Sequence, residues 1–403
     1  MKKVLLASPV APWGLFGGTA TVSRNLIELL SEMLAARVCC LRCDEAGTFP
    51  RTIHHATVLS GRVSEWRRKL KFFWDFSPDS FAHRQFDHAL VRARFAALLA
   101  REQPECVIFD HIFSAWLVDL VPPEIRIAYI AHDDMVAYAE SLLAMGPGPL
   151  PRLRFTRLLR QYRHLQGHVL RRCDFVLTMT REDATRLRPS TSAMVEVAPL
   201  FFDFQNGDRD YSSDFRYLLV NGSFDTWEKQ LGLTQFLETV FTPLRRRCPE
   251  LRAVIAGRIP PALQHQIQFS EPDVRIVHRP SDAEMRTLVQ EASAGTVLDL
   301  QVSGLKIKTI DLAAAGLPLV SWVSGIEGSS LVPGESCLCA ASPEEFASHL
   351  GRLCTDASLR RKLGTTARAL TQAQFSKEAA RARFHASALF SALAAPGVAA
   401  PAS

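Results

Sequence analysis

Short runs of unbroken apolar residues, separated by longer helical patterns and repeated twice along the chain, restrict the fold more than any other feature. In the first half they fall at residues 3–8, 38–41, 106–110, 125–132, 175–179 and 194–197. The second half restarts the pattern with YLLVNG (217–222), RAVIAG (252–257), VRIVH (274–278), TVLDL (296–300) and LPLVSWV (317–323). A strand with one face in water alternates apolar and polar residues. A continuous run requires cover on both faces, which a parallel sheet flanked by helices supplies. A chain of 403 residues exceeds what one core holds, so two domains are expected. The polar, acidic stretch 199–214 (PLFFDFQNGDRDYSSD) reads as their junction. The predicted fold class is α/β, two Rossmann-like doubly wound domains over 1–205 and 206–375, with strand carboxyl ends facing one cleft.

Composition narrows the ligand class. Apolar residues make up 47% and charged residues 22%, as in soluble globular proteins. A net charge of +6 suits polyanionic ligands, phosphosugars or an anionic membrane surface. Residues 62–74 (RVSEWRRKLKFFW) mix basic and aromatic side chains, and residues 151–172 carry seven arginines and no acid. Each fits a membrane surface, an anionic acceptor or a solvated arginine face. Neither is the long basic block of a nucleic-acid arm, so no nucleic-acid partner is expected. Of the nine cysteines, Cys40 and Cys43 have C-x-x-C spacing but no second pair follows, which points to buried strand thiols in a reducing cytoplasm. The start, MKKVLLASPVAP, reads as a first strand rather than a signal peptide, and no apolar run reaches transmembrane length. The expected location is cytoplasmic, with possible peripheral contact at the inner face of the membrane.

The chemistry concentrates in SGLKIKTIDLAAAGLPLVSWVSGIEG, residues 303–328. A glycine loop with Lys306 and Lys308 opens a short helix that carries Asp311 one turn in. Backbone amides and lysines at a helix start attract an anion, and the carboxylate can accept hydrogen bonds from sugar hydroxyls. Phosphate plus ribose is what a nucleotide presents. The plainer alternative is a βαβ unit whose lysines are merely solvated.

With these residues in place the chain resembles the GT-B retaining glycosyltransferases, glycosyl transferases group 1 (family 4-like), over roughly residues 3–392. The resemblance rests on YLLVNGSFDTWEKQLGLTQFLETVFTPLRRRCPELRAVIAG followed by GLKIKTIDLAAAGLPLV, where Gly304, Lys308, Gly316 and Pro318 match the family pattern G-x-x-x-K-x-x-E-A-x-A-x-G-x-P. Weaker matches are Gly17-Gly18, Ile130-Ala131-His132 and Phe375-Ser376-Lys377-Glu378. The resemblance implies an acceptor-side first domain, a nucleotide-sugar-binding second domain and a helix at 376–393 packing back toward the first domain, while the composition of AAPGVAAPAS predicts a frayed tail at 394–403. It also implies hexose transfer from a nucleoside-diphosphate sugar to a glycan or lipid-linked hydroxyl acceptor, without metal or other cofactor. Lys306 and Lys308, with amides around Gly304, would neutralise the donor diphosphate. Asp311 would bind the ribose. Gly222, Ser223 and Lys229 would make the other phosphate contacts, and Gly325 to Gly328 would line the nucleotide. Gly17 and Gly18 would admit the donor phosphates or acceptor to the backbone, and His132 would touch the reacting sugar. The family's two glutamates eight positions apart are replaced by Ser303 and Asp311, which leaves Asp299 and Glu327 as nearby hydroxyl-binding candidates. Asp133 or Asp134 would orient His132 or hold an acceptor hydroxyl, and Asp110 and His111 end another strand towards the same cleft. The same resemblance admits a nucleotide-sugar epimerase, a glycan phosphorylase or a non-catalytic nucleotide-binding GT-B protein.

Overall fold

A computed structural model describes residues 3–13, 18–42, 56–60, 86–202, 204, 209–212, 214–271 and 273–394. Gly17, Cys43, the 62–74 segment and the tail beyond 394 lie outside the described residues. The chain forms two compact units, Met1–Phe202 with Lys377–Ser403, and Asp203–Ser376.

The first unit is a seven-stranded sheet of β1 (Lys3–Val10), β2 (Ala35–Arg42), β3 (Ala56–Ser60), β4 (Cys106–Asp110), β5 (Arg126–Ala131), β6 (Phe175–Thr178) and β7 (Met194–Val197). The order is β3-β2-β1-β4-β5-β6-β7, and every pairing is parallel. Among the described residues, helices that connect strands include Gly18–Met33, His88–Glu102 and Pro149–Arg172. All five residues of β4 are buried, as its unbroken CVIFD run requires. One core joins Leu5, Phe95, Phe109, Tyr129 and Val169. The last two helices, Lys377–His385 and Ala388–Ala394, belong to this unit. Lys377 Nζ bonds Glu28 and Glu32 of Gly18–Met33 at 2.9 and 2.6 Å, and Arg383 donates to the Leu200 carbonyl.

The second unit repeats the plan with β8 (Leu218–Ser223), β9 (Ala253–Arg258), β10 (Arg275–His278), β11 (Ala294–Val297), β12 (Leu319–Trp322) and β13 (Leu338–Ala340), in the order β10-β9-β8-β11-β12-β13. Successive strand residues point to opposite faces, and both faces are covered. Leu218 and Val220 enter one core with Phe236 and Phe346, while Leu219 joins the other with Leu312 and Leu317. Part of the junction stretch docks on this unit: Arg209 donates to the carbonyls of Val289, Ala292 and Ala315, and the Tyr211 hydroxyl to Gly316. The eight described cysteines are free thiols, and no described helix is long and apolar enough to cross a membrane.

One glycine fixes how β8 and β9 approach. Gly257 sits at φ +131°, and a Cβ there would lie 1.9 Å from the Gly222 carbonyl oxygen. Gly257→Ala must therefore strain the backbone and push the strands apart. We expect it to cost about 3 kcal/mol, read as a lower urea midpoint, with a smaller loss, about 1 kcal/mol, for alanine at Gly334, where the surroundings are open and strain at φ +82° acts alone.

Candidate functional site

In each sheet the strand order reverses once, between β1 and β4 and between β8 and β11. Ligands of such sheets bind beyond the carboxyl ends of the strands at that reversal. Both places carry clusters of polar residues.

In the first unit, Asp110 ends β4 and His132 follows β5, whose register sets Asp110 beside Ile130. His132 Nε2 lies 2.6 Å from Asp110 Oδ1, with both side chains buried. The Ser8 hydroxyl on β1 donates to Asp110 Oδ2 at 3.0 Å, and Ser23 adds a further bond. Burial opposes ionisation of Asp110, but the charge and hydrogen bond of His132, the Ser23 bond and His111 outweigh it and hold the carboxyl below its usual range. His111 is different. Burial, then the neighbouring His132, push its imidazole down to about 3, so it is neutral at neutral pH. Its backbone is at φ 73°, its Nδ1 accepts from the Phe113 amide, and its ring centroid lies 5.0 Å from that of His132. Of the two carboxylates expected to orient His132 or hold an acceptor hydroxyl, Asp133 and Asp134, the second does other work. Asp134 caps the helix Met135–Ala144 by accepting from the Val136 and Ala137 amides and from Gln166. Asp110 orients His132 instead. Gly18 opens the helix that carries Ser23.

In the second unit, one predicted lysine pairs with a buried carboxylate and two others act on it through space. Asp299, just past β11, is 5% exposed, and Lys308 Nζ bonds both its oxygens at 2.9 and 3.0 Å. Burial disfavours the Asp299 charge, but Lys308, Lys306 and Lys229 together hold its carboxyl below the usual range. Lys306 turns inward. Its ammonium bonds the Ser303 carbonyl at 2.5 Å and the Gly304 carbonyl at 3.4 Å, so it shapes the loop rather than facing solvent. Ser303 and Gly304 both have positive φ, 76° and 71°, and the Ser303 amide donates to Glu327 Oε2 at 3.1 Å. Because a trans peptide opposes its C=O and N–H, a Ser303 carbonyl aimed at Lys306 turns the Gly304 amide the other way. The loop is thus bound from two sides, and it leads into the helix Ile307–Ala314.

Asp311 is exposed on that helix. Water reaches it, yet the protein crowded around it disfavours the charged form and raises its carboxyl to about 6. Glu327, expected to meet a hydroxyl, already holds the Ser303 amide. Gly325 has a packing reason, since a Cβ there would lie 2.2 Å from Ser321 Oγ, and its carbonyl accepts from Thr309. Gly328 has φ 72°. Gly222 and Ser223 close β8, and Lys229 lies in the first turn of Trp227–Phe236. Sequence reasoning missed Arg258 and Asp225. Arg258 Nε donates to Ser223 Oγ at 3.0 Å and pairs with Asp225 at 3.1 Å; the signal was the strand register, which sets Ser223 opposite Arg258. Among the described residues no group of three or more His, Cys, Asp or Glu side chains is placed to hold a metal ion.

Residues 216–356 match the model of the family glycosyl transferases group 1. No curated protein matches the sequence. Solved structures match over nearly the whole chain. Sucrose-phosphate synthase from Thermosynechococcus elongatus superposes with a TM-score of 0.71 at 15% identity, covering 98% of this chain and 99% of its own. Alr3699/HepE from Anabaena, in complex with UDP and glucose, gives 0.64 at 14% identity, over 96% and 99%. WaaG, a glycosyltransferase involved in lipopolysaccharide biosynthesis, gives 0.62 at 15% identity, over 94% and 98%. Two parallel Rossmann-like sheets with this connectivity make the fold GT-B.

Proposed function

We propose that the protein is a hexosyltransferase that moves a sugar from a nucleoside diphosphate to a hydroxyl acceptor, with retention and without a metal, in glycan or surface-polysaccharide synthesis. The observation that carries this reading is the gathering of Lys229, Lys306 and Lys308 around Asp299 beside a loop of positive-φ residues at the β8/β11 reversal. As the bond from C1 of the sugar to the diphosphate oxygen breaks, charge grows on the phosphates, and fixed cations and amides stabilise it most at that moment. Lys229 acts on Asp299 through space but makes no hydrogen bond or ion pair with described residues, so it is the first cation available to a ligand. Lys308 is held in place by Asp299 until phosphate oxygens compete for it. Lys306 holds the loop in the form that presents the Gly304 amide. The acceptor oxygen bonds to C1, and its proton passes to the departing diphosphate. Asp110, being ionised, can only accept, so the neutral form of His132 carries its hydrogen on Nε2 and offers Nδ1 to a sugar hydroxyl.

The Anabaena relative holds UDP and glucose, which makes a uridine-diphosphate hexose the first donor to test, followed by ADP and GDP sugars. The expected result is release of one nucleoside diphosphate, faster with a hydroxyl acceptor. Calorimetric nucleotide binding with no release from any sugar would instead identify a non-catalytic binding protein.

Asp311, assigned here to the ribose, supplies a pH signature. Its carboxyl, raised to about 6, is neutral below that pH and charged above it, so nucleotide affinity should strengthen from pH 5 to pH 8. The sign for folding is opposite. A carboxyl whose folded pKa is raised contributes stability below its unfolded value, and this is lost as pH rises through about 6. Asp311→Asn should therefore melt above the parent at pH 8 and alike below pH 4, while binding nucleotide more weakly at pH 8. An affinity flat across this range would remove Asp311 from the ribose.

A further inference from the structure

Pro149–Arg172 is the longest helix among the described residues. One side of it packs into the core through Leu159, Tyr162, Leu165 and Val169. The other side starts with Leu150 and Leu153, which are 81% and 71% exposed. Arg152, Arg154 and Arg160 are exposed around them and make no ion pair with described residues. Leu150, Leu153 and Arg160 fall at i, i+3 and i+10, hence on one face. Residues 141–173 contain no acidic side chain. A helix that only presents charge to water has no use for two adjacent leucines in the open, although single exposed leucines are ordinary. Two leucines also bury far less than the roughly 1,000 Å² that a stable protein interface needs. A short apolar anchor beside clustered cations is, however, the two-part signal that holds a protein on an anionic bilayer.

We infer that the start of this helix docks the protein on an anionic phospholipid membrane. Leu150 and Leu153 enter the boundary between headgroups and acyl chains, and Arg152, Arg154 and Arg160 meet lipid phosphates. The contact lies in the surface plane, because no described helix is long and apolar enough to cross.

The test is co-sedimentation of the full chain with vesicles of phosphatidylcholine alone or with about a third phosphatidylglycerol. Binding is expected only with phosphatidylglycerol, and weaker at high salt. Leu150→Ser with Leu153→Ser should lower partitioning about tenfold. Converting the three arginines to glutamine should lower it about a hundredfold, from roughly fivefold per arginine. Donor turnover on a soluble acceptor should be unchanged in both variants, which separates this inference from the reading of the catalytic site. Wild-type protein that ignores the anionic vesicles, or binding that neither variant weakens, would overturn it. So would concentration-dependent self-association abolished by the serine pair, which would give this face to a second copy of the chain.

Discussion

Replacing Lys308 with alanine is expected to lower donor turnover by about 10²–10³-fold at saturating acceptor, the loss seen when one preorganised donor is taken from a developing anion. The same change damages the fold for a separate reason. Asp299 is 5% exposed, and both its oxygens are bonded by Lys308. Removing the ammonium leaves a buried carboxylate short of its closest partner, which in general costs about 3–5 kcal/mol. The cost here falls at the low end, because Lys306 and Lys229 still act on Asp299. The two effects separate in the double variant Lys308→Ala with Asp299→Asn. The amide needs no counter-charge, so thermal stability should return toward that of the parent while turnover stays low. Turnover unaffected in Lys308→Ala would show that this lysine serves only Asp299. Recovery of turnover in the double variant would show that the loss came from misfolding.

Most of the fold was legible because buried parallel strands announce themselves as unbroken apolar runs. The run YLLVNG marks β8 to within a residue at each end, and RAVIAG marks β9 equally well. The short strands were not visible. β13 is only Leu338–Ala340, too brief for periodicity to register, and β3, Ala56–Ser60, has the length of β4 but its ATVLS carries polar Thr57 and Ser60 in place of an unbroken apolar run. At the candidate site the sequence located side chains but not their directions. A four-carbon lysine stem reaches forward to a ligand or back to its own loop at similar cost, and Lys306 does the second. Ser303 at positive φ was equally hidden, since serine seldom adopts that backbone. The His132 partner lies 22 positions away in Asp110. Only the sheet order, which makes β4 and β5 neighbours, turns that separation into contact. Local proximity pointed to Asp133 and Asp134, and Asp134 is taken up by the helix end it caps.

That geometry makes His132 the site of the second large effect. His132→Ala is expected to lower turnover by about 10²–10³-fold, within the range for losing a positioned proton-handling or hydroxyl-binding side chain. It also strips Asp110 of its strongest partner, so a fall in stability alone would not distinguish a working histidine from a packing one. Asp110→Asn does. Ionised Asp110 compels the neutral form of His132 to carry its hydrogen on Nε2, leaving Nδ1 as an acceptor. An asparagine can instead donate to Nε2 and move the hydrogen to Nδ1, which then repels a hydroxyl proton it should receive. The fold keeps its hydrogen bonds from Ser8 and loses no volume, so melting should shift little. Turnover should fall about 10–100-fold with the KM for donor nearly constant, since the interaction lost belongs to the transition state rather than to nucleotide binding. If both variants melt lower yet turn over donor at the parental rate, His132 and Asp110 are a buried structural pair, and the reacting sugar is handled by other residues.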